Sequence, residues 1–159
     1  MGLTSEEKIY QQELLRAIPV VDGMDIHIVG LSLDNLTLSA PLNTHINYEG
    51  TAFGGSLNTL CVLSCYLLIH HRLKKENLDF SSLVIQDSQI QYLKPVNNDF
   101  MASAEFLNAE SFLKTFERRG TARAQMKSVV TCDGSQVDLV QFEGRFVASK
   151  DFKRQAPPI

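Results

Sequence analysis

Residues 54–69 form the stretch of sequence that decides the fold, and they read Gly-Gly-Ser-Leu-Asn-Thr-Leu-Cys-Val-Leu-Ser-Cys-Tyr-Leu-Leu-Ile. Apolar or small side chains recur here at spacings of three and four, which predicts an α-helix. These side chains are Leu57, Leu60, Cys61, Leu63, Ser64, Leu67 and Leu68. Most of the remaining circumference is filled by Val62, Cys65, Tyr66 and Ile69. A helix that is apolar nearly all round is a buried helix, so other parts of the chain must surround it.

The segments on both sides of this helix predict strands and one further helix. Alternating apolar residues between positions 24 and 42 indicate two short strands that turn at Asp34-Asn35. After the central helix the expected elements are a strand at 83–96, a strand at 100–107, an amphipathic helix at 108–119 that ends at Gly120, and strands at 121–131 and 136–147. The last two strands should form a hairpin that turns at Asp133-Gly134.

This order of elements predicts an α+β fold. An antiparallel sheet of five or six strands, wrapped round the long helix, accounts for a helix that is apolar on all sides. That architecture is the hot-dog fold.

The first residues predict a separate helix. Thr4 and Glu7 form a capping box, so a helix should begin near Ser5 and end before Pro19. The side chains expected to point inward are Ile9, Leu14 and Leu15. We therefore divide the chain into an N-terminal helix at 1–19, one hot-dog domain at 20–150 and a flexible tail at 151–159.

Composition and charge exclude several classes of protein. The chain has 159 residues, a formal net charge of −3 and 44% apolar residues. This composition is too apolar for a disordered chain. The slight acidity argues against a nucleic-acid partner, which usually requires a surplus of Lys and Arg.

Three cysteines indicate a reducing compartment. Cys61, Cys65 and Cys132 do not have the even number or the spacing of a disulfide framework, and no Cys-x-x-Cys pair exists for zinc. The N-terminus lacks the apolar core of a signal peptide. The most apolar stretch is too short to span a bilayer. We expect a cytoplasmic protein with no membrane partner.

The loop before the central helix carries a family resemblance. Residues 47–57 read Asn-Tyr-Glu-Gly-Thr-Ala-Phe-Gly-Gly-Ser-Leu. They resemble the Asn-x-x-Gly-x-x-His-Gly-Gly segment of hot-dog thioesterases of the phenylacetate-pathway type. The form Gly-Thr-x-Phe-Gly-Gly-Ser-Leu is more specifically similar to the thioesterase family named after the C-terminal domain of YiiD. The helix at 108–119 and the ending at 142–148 are similar to that family too. The resemblance covers about residues 20 to 150 and implies a hydrolase of acyl-CoA or acyl-carrier-protein thioesters.

The glycine pair has a physical interpretation that does not depend on the family. At a helix N-terminus, Gly54 and Gly55 let a ligand approach backbone N–H groups that have no partner within the helix. Together with the positive end of the helix dipole, these donors suit an oxygen that carries negative charge, such as the oxyanion formed from a thioester carbonyl. The alternative is that the glycines only allow the helix to enter close under the sheet.

Asn47 is the best side-chain candidate in the loop. In the catalytic relatives, an asparagine at this place orients the attacking water or the substrate. The alternative for Asn47 is a capping or turn role. The polar or aromatic side chains expected to line the same pocket are Thr51, Phe53, Ser56 and Asn58. For Ser56 a hydrogen bond at the helix start is the competing role.

Two departures from the family pattern bear on catalysis. Phe53 stands where many relatives have histidine, and Val62 stands where the His-Gly-Gly relatives have a catalytic carboxylate. The nearest replacements from other elements are Glu49 and Asp87. Without a base, hydrolysis would rely on water held by Asn47 and on backbone donors, and would be slow.

The remaining polar residues offer weaker candidates. His45 is close to the loop but is expected at the surface, and the histidines supply no cluster for a metal. Arg118 and Arg119 could contact the phosphates of coenzyme A, although their first role is to complement a helix dipole. No cofactor is implied.

The resemblance further implies a homodimer or a dimer of dimers, in which the neighbouring copy completes each pocket. A second class of function remains open, namely a binding module that keeps the acyl-thioester or carrier-protein site but has lost the base. A purely structural dimerisation domain is the third alternative.

Overall fold

The helices and strands follow the order that the sequence predicts, with two short additions. The computed structural model describes residues 4–132, 134–151 and 153. The elements before the long helix are α1 (Ser5–Ala17), a 3-10 turn (Pro19–Met24), β1 (His27–Leu31), β2 (Asn35–Ala40) and the single helical turn α2 (Leu42–His45). The rest are α3 (Gly54–Lys75), β3 (Ser82–Tyr92), β4 (Phe100–Phe106), α4 (Ala109–Arg119), β5 (Thr121–Cys132) and β6 (Val140–Ser149). The 3-10 turn and α2 are the additions.

The strands form one antiparallel sheet in the order β1-β2-β4-β5-β6-β3. The buried side chains of its strands alternate with outward-facing ones, so one face of the sheet lies against α3. The prediction of an α+β hot-dog fold, with the sheet wrapped round a long buried helix, is confirmed.

Small residues in the centre of the sheet allow α3 to pack closely. Ala102 and Ala104 in β4, with Ala122 and Ala124 in β5, are buried on the face toward α3. Gly144 in β6 lies between two phenylalanine rings, and a Cβ there would come within 2.9 Å of the Phe142 ring. Larger side chains at these positions would push the helix away from the sheet.

Strand β3 forms one edge of the sheet and passes close to the start of α3. Its pairing with β6 is irregular between Ile85 and Asp87, as in a β-bulge. The outer edge of β3 exposes Val84 and Ile85. The strand ends at Tyr92, not at residue 96 as the sequence suggested.

Helix α1 has the predicted start but a different buried face. The Thr4 side chain accepts from the Glu7 N–H while the Glu7 carboxylate accepts from the Thr4 N–H, so the capping box is present. Leu14 is buried as expected, but Ile9, also expected inward, is 55% exposed, and Tyr10 is buried instead. Because α1 packs on α3 through an aromatic ring, its apolar positions alone did not identify the contact face.

Three other local expectations change. The segment 43–53 is more ordered than a loop, because it contains the end of α2 and a bridge between Ile46 and Ala52. Strands β5 and β6 do form a hairpin, but Val130 pairs with Val140, so the connection is longer than a two-residue turn. Asp133 of the expected turn lies outside the described residues, and so do residues 1–3, 152 and 154–159, which include most of the expected tail.

Within the described part of the chain, no helix is both long enough and apolar enough to cross a membrane.

Candidate functional site

A tight turn at residues 47–51 precedes α3. The Asn47 side chain organises it: Oδ1 accepts from the Glu49 N–H at 2.9 Å and the Thr51 N–H at 3.1 Å, and Nδ2 donates to Thr51 Oγ1 at 3.0 Å. Gly50 has a φ of 79°, a left-handed conformation that glycine adopts without strain. The turn role considered for Asn47 is thus part of the structure.

The amide of Asn47 has one donor left over. A side-chain amide carries two N–H bonds on nitrogen, and one of them is used on Thr51. Asn47 is only partly buried, so its second N–H can reach a water or a ligand. The turn therefore fixes the direction of a free donor.

Helix α3 starts without a side-chain cap. Phe53 occupies the N-cap position with φ −61° and ψ 130°, and no side chain of the described residues caps the helix. The first bond of the helical ladder runs from the Leu57 N–H to the Phe53 carbonyl at 3.1 Å. The N–H groups of Gly54, Gly55 and Ser56 precede that bond and have no partner within the helix. They point out of the positive end of a 22-residue helix.

Two aromatic rings flank these donors. A Cβ on Gly55 would clash with Cε1 of Phe53, so the Phe53 ring covers the α-carbon of Gly55. Tyr92, at the end of β3, donates from its hydroxyl to the Gly54 carbonyl at 3.1 Å. Burial, and next the nearby Cys61, raises the pKa of Tyr92. No local pattern around Tyr92 signals this contact, because it joins an edge strand to a helix 38 residues away.

The other predicted pocket residues lie on the first turns of α3. Ser56 and Asn58 are both partly exposed there. The adjacent Thr59 donates its hydroxyl to the Gly55 carbonyl at 2.8 Å. The structure thus brings Asn47, Thr51, Phe53, Gly54, Gly55, Ser56 and Asn58 together around the start of α3.

The two carboxylates proposed as replacements for the missing base lie in different places. Glu49 is exposed in the turn beside Asn47. Asp87 lies in the β3 bulge and forms a salt bridge with Arg145, whose Nε is 2.9 Å from Asp87 Oδ2. That salt bridge raises the pKa of Arg145. Because Arg145 is on the exposed side of β6, between the buried Gly144 and Phe146, Asp87 is on the sheet face away from α3. The structure does not bring it to the turn.

Val62 is partly buried on α3, and the helix offers no carboxylate at that level. Arg118 and Arg119 are exposed at the end of α4, which packs on β5. No contact between these arginines and the turn is present among the described residues.

The prediction that His45 lies at the surface is wrong. His45 is buried, its Nε2 is 2.6 Å from the Met24 carbonyl, and its ring packs edge-on against Phe100. The hydrogen bond satisfies the ring nitrogen and fixes α2 under the turn, so the role of His45 is structural. Among residues 4–132, 134–151 and 153, no three His, Cys, Asp or Glu side chains are grouped to hold a metal ion.

The sequence matches a family model over nearly its whole length. The family is described as "Putative thioesterase (yiiD_Cterm)", and the match spans residues 7–150. The chain belongs to this family. The match confirms the resemblance seen in the loop and assigns the protein to a group of thioesterases, which are hydrolases.

Solved structures agree with this assignment. A protein of unknown function from Chlorobaculum tepidum has a similar structure with a TM-score of 0.83 and 26% identity, covering 92% of this chain and 95% of that one. A "putative thioesterase" from Shewanella oneidensis has a TM-score of 0.80 and 26% identity, with 90% and 96% covered. A variant of the phenylacetic acid degradation protein PaaI from Thermus thermophilus is 18% identical, with a TM-score of 0.59 and 82% and 98% covered, and shares the fold.

Proposed function

We propose that this thioesterase hydrolyses acyl-CoA or acyl-carrier-protein thioesters at the N-terminus of α3. Water adds its oxygen to the thioester carbonyl carbon, and the carbon–sulfur bond then breaks. The products are a carboxylic acid and a free thiol, with one proton of the water passing to the departing sulfur.

The observation that carries this proposal is the set of backbone N–H groups at Gly54, Gly55 and Ser56, which have no partner within the helix and no side-chain cap from the described residues. The carbonyl oxygen becomes negatively charged when water adds, and these N–H groups with the helix dipole stabilise that charge. Removal of one such donor typically lowers kcat by about 10²–10³-fold.

The remaining N–H of Asn47 supplies the second part of the mechanism. Because Thr51 and the backbone of the turn hold the amide in place, the free N–H can donate to the attacking water and fix its position. Glu49 is the nearest carboxylate in the chain sequence and is a secondary candidate for taking the proton. With Val62 on α3 in place of a carboxylate, we expect a modest turnover number.

A second copy of the chain is part of the proposal. Strand β3 is an unpaired sheet edge with exposed Val84 and Ile85, and its last residue, Tyr92, contacts Gly54. Pairing of two β3 strands would cover this edge and bring the second copy beside the donors. We expect a homodimer, or a dimer of dimers, with each pocket completed by the neighbour.

Recognition of the thiol carrier and the cellular location complete the proposal. Arg118 and Arg119 are exposed cations that suit the phosphates of coenzyme A.

Cys61, Cys65 and Cys132 are free thiols, as expected in the cytoplasm. Burial raises the pKa of Cys61 to about 12, so this thiol is not a nucleophile at neutral pH.

A non-catalytic acyl-thioester or carrier-protein binding module is the second candidate. Two observations favour it: Val62 replaces a carboxylate, and the Phe53 ring covers Gly55. Such a module would bind thioesters without releasing thiol.

The test measures thiol release from acyl-CoA and acyl-carrier-protein thioesters for the wild type, Asn47→Asp and Asn47→Ala. The aspartate keeps the oxygen acceptor for the Glu49 and Thr51 N–H groups. It loses the bond from Nδ2 to Thr51 Oγ1, but the Thr51 hydroxyl can donate to the carboxylate instead, so the main change is the loss of the N–H that would hold the water. We expect a loss of at least tenfold in kcat for both variants, and no change for Asn43→Ala, an exposed asparagine in α2.

Full activity of Asn47→Asp would show that Asn47 only shapes the turn. If the wild type releases no thiol but is stabilised by a thioester in a thermal-shift titration, the binding module is correct.

A further inference from the structure

One end of the sheet carries a group of exposed cations that have no carboxylate partner among the described residues. This group, termed the cationic patch, consists of Arg118, Arg119, Arg123 and Lys150. By contrast, other cations of the chain are neutralised by salt bridges with Asp or Glu, namely Arg72, Lys74, Lys75, Lys114, Lys127 and Arg145. In a chain with a formal net charge of −3, positive charge that stays unpaired in one place makes a surface that attracts anions.

Contacts at the end of α4 hold most of the patch together. Arg118 and Arg119 lie in the last turn of α4, which ends at Gly120. The Lys150 N–H donates to the Gly120 carbonyl at 2.8 Å, and the Lys150 ammonium lies 5.4 Å from the centre of the Phe116 ring. The end of β6 therefore brings a third cation beside the two arginines.

Arg123 extends the patch onto the sheet. It lies between the buried Ala122 and Ala124 in β5, so its side chain is on the sheet face away from α3. Its Nε donates to Gln86 Oε1 in the β3 bulge at 3.0 Å. This hydrogen bond keeps the guanidinium against the outer surface of the sheet.

The patch is a spread surface and not a cleft. Arg118 and Arg119 are consecutive in a helix, so their side chains point in directions about 100° apart and do not converge on one group. Glu117 and Asp151 are the carboxylates next to the patch in the sequence, and both are exposed. A small nucleotide is usually held by convergent groups in a concave site. Charges spread over an exposed surface instead steer and orient a second protein.

The patch lies far from the donors of its own chain. Ser82, at the start of β3, pairs with Ser149, which also pairs with Thr121 at the start of β5. Tyr92, which contacts Gly54, is at the other end of β3, roughly 30 Å away at about 3.3 Å per residue. In the homodimer proposed above, two-fold symmetry makes the paired β3 strands antiparallel. The start of one β3 then lies beside the end of the other, and the patch of one copy lies near the donors of its partner.

We propose that the cationic patch is the docking surface of an acidic carrier protein, whose acyl thioester reaches the donors of the other copy. Coenzyme A and a carrier protein hold the thioester on the same phosphopantetheine arm, and they differ in what lies behind that arm, a nucleotide or a protein surface. The spread of the cations matches the acidic protein surface by charge complementarity. The inference rests on the proposed hydrolysis at α3 and on the proposed dimer, and it selects the acyl-carrier protein as the substrate class.

The first measurement is the Kd of a purified holo acyl-carrier protein, which bears the arm without an acyl group, so that the result does not depend on hydrolysis. Arg118→Glu/Arg119→Glu should raise the Kd at least tenfold. Lys8→Glu/Arg16→Glu is the matched control, because it reverses two exposed cations of α1, and it should leave the Kd unchanged. Arg118→Gln/Arg119→Gln does not oppose the helix dipole as glutamates do, and it should raise the Kd by a smaller factor. The same Kd in all four proteins would overturn the inference.

The second measurement compares kcat and KM for an acyl-carrier protein and an acyl-CoA with the same acyl group. In Arg118→Glu/Arg119→Glu, the KM for the acyl-carrier protein should rise at least tenfold with little change in kcat, and the KM for the acyl-CoA should change less than about threefold. An equal rise in both KM values would show a nucleotide site, which overturns the inference and leaves the hydrolase intact. Thiol release from neither substrate would contradict the proposed function, and the Kd values would still decide the docking surface.

Mixed dimers test whether the patch serves the site of the other copy. Gly54→Pro lacks one donor but keeps the patch, whereas Arg118→Glu/Arg119→Glu keeps the donors, so a dimer with one copy of each has one complete site. Co-expression of the two variants should raise activity on the acyl-carrier protein above that of either alone, toward about a quarter of the wild-type value, since half of the dimers are mixed. No gain on co-expression would overturn the assignment of the patch to the other copy.

Discussion

The two ends of α3 are built in opposite ways. At its N-terminus the helix has no side-chain cap, two glycines and three N–H groups without a partner in the helix. At its C-terminus, α1 packs against the last turns and Tyr10 contacts the rings of both His70 and His71. The open end leaves backbone groups available for a ligand, whereas the covered end buries ionisable side chains to hold α1.

Ion pairs add to the covered end. Arg72 contacts Asp34 and Glu76 at 2.9 Å each, and Lys75 contacts Glu6 at 2.8 Å. Such exposed pairs contribute little each, about 0–1 kcal/mol. A helix N-cap contributes about 1 kcal/mol, and α3 does without one at the end where we place the reaction. Under the proposed mechanism, stability and chemistry are assigned to different ends of the same helix.

The largest expected effect on stability comes from removing the aromatic contact at the covered end. Tyr10 is 5% exposed, and burial, more than nearby Glu13 and Glu6, raises its pKa to about 12. Tyr10→Ala should lower the free energy of unfolding by about 3 kcal/mol, since the ring leaves a cavity, and denaturant unfolding measures it. Tyr10→Phe, which keeps the ring, should cost less than about 1 kcal/mol. Equal losses in the two variants would show that the ring does not hold α1.

A smaller loss of stability than that of Tyr10→Ala is expected from a substitution at the start of α1. Thr4→Ala removes the side-chain acceptor of the capping box and should cost about 1 kcal/mol. Thr4→Ser keeps the hydroxyl and should be nearly neutral. A thermal melt of both variants makes the comparison, and no difference between them would contradict a role for the cap in docking α1.

The smallest expected effect on stability at neutral pH comes from the buried side chain of His71. This effect grows as the pH falls. Burial is the main cause that lowers the pKa of His71, followed by Glu6, which opposes it, and by Lys75. The unfolded chain then binds more protons than the folded protein just below the ordinary value of 6.5, so stability should fall as pH falls through that value. The melting temperature of His71→Gln should depend less on pH between 7 and 5 than that of the wild type. A parallel pH dependence would show that His71 is not responsible.

The sequence predicted the open end of α3 better than the covered end. Gly54-Gly55 and the spacing of the leucines located the helix start, because these signals are local. For Asn47, a turn role was one of the two alternatives that the sequence left open. The burial of His45 and His71 was missed, since it depends on the Met24 carbonyl and on the docking of α1. The contact between Tyr92 and Gly54 was missed for the same reason: it joins residues far apart in the chain.

The central claim is that the N–H groups at the open end stabilise the oxyanion, and one pair of variants tests it most directly. Phe53 is already in the extended conformation that must precede proline, and a Cβ on Gly54 meets the Tyr92 ring at an ordinary 3.5 Å. Gly54→Pro therefore removes one donor from the first helical position, where proline is tolerated, and Gly54→Ala keeps that donor. Measured as thiol release, kcat should be about 10²-fold lower for the proline variant than for the alanine variant, with similar melting temperatures. Equal kcat values in the two variants would contradict the account.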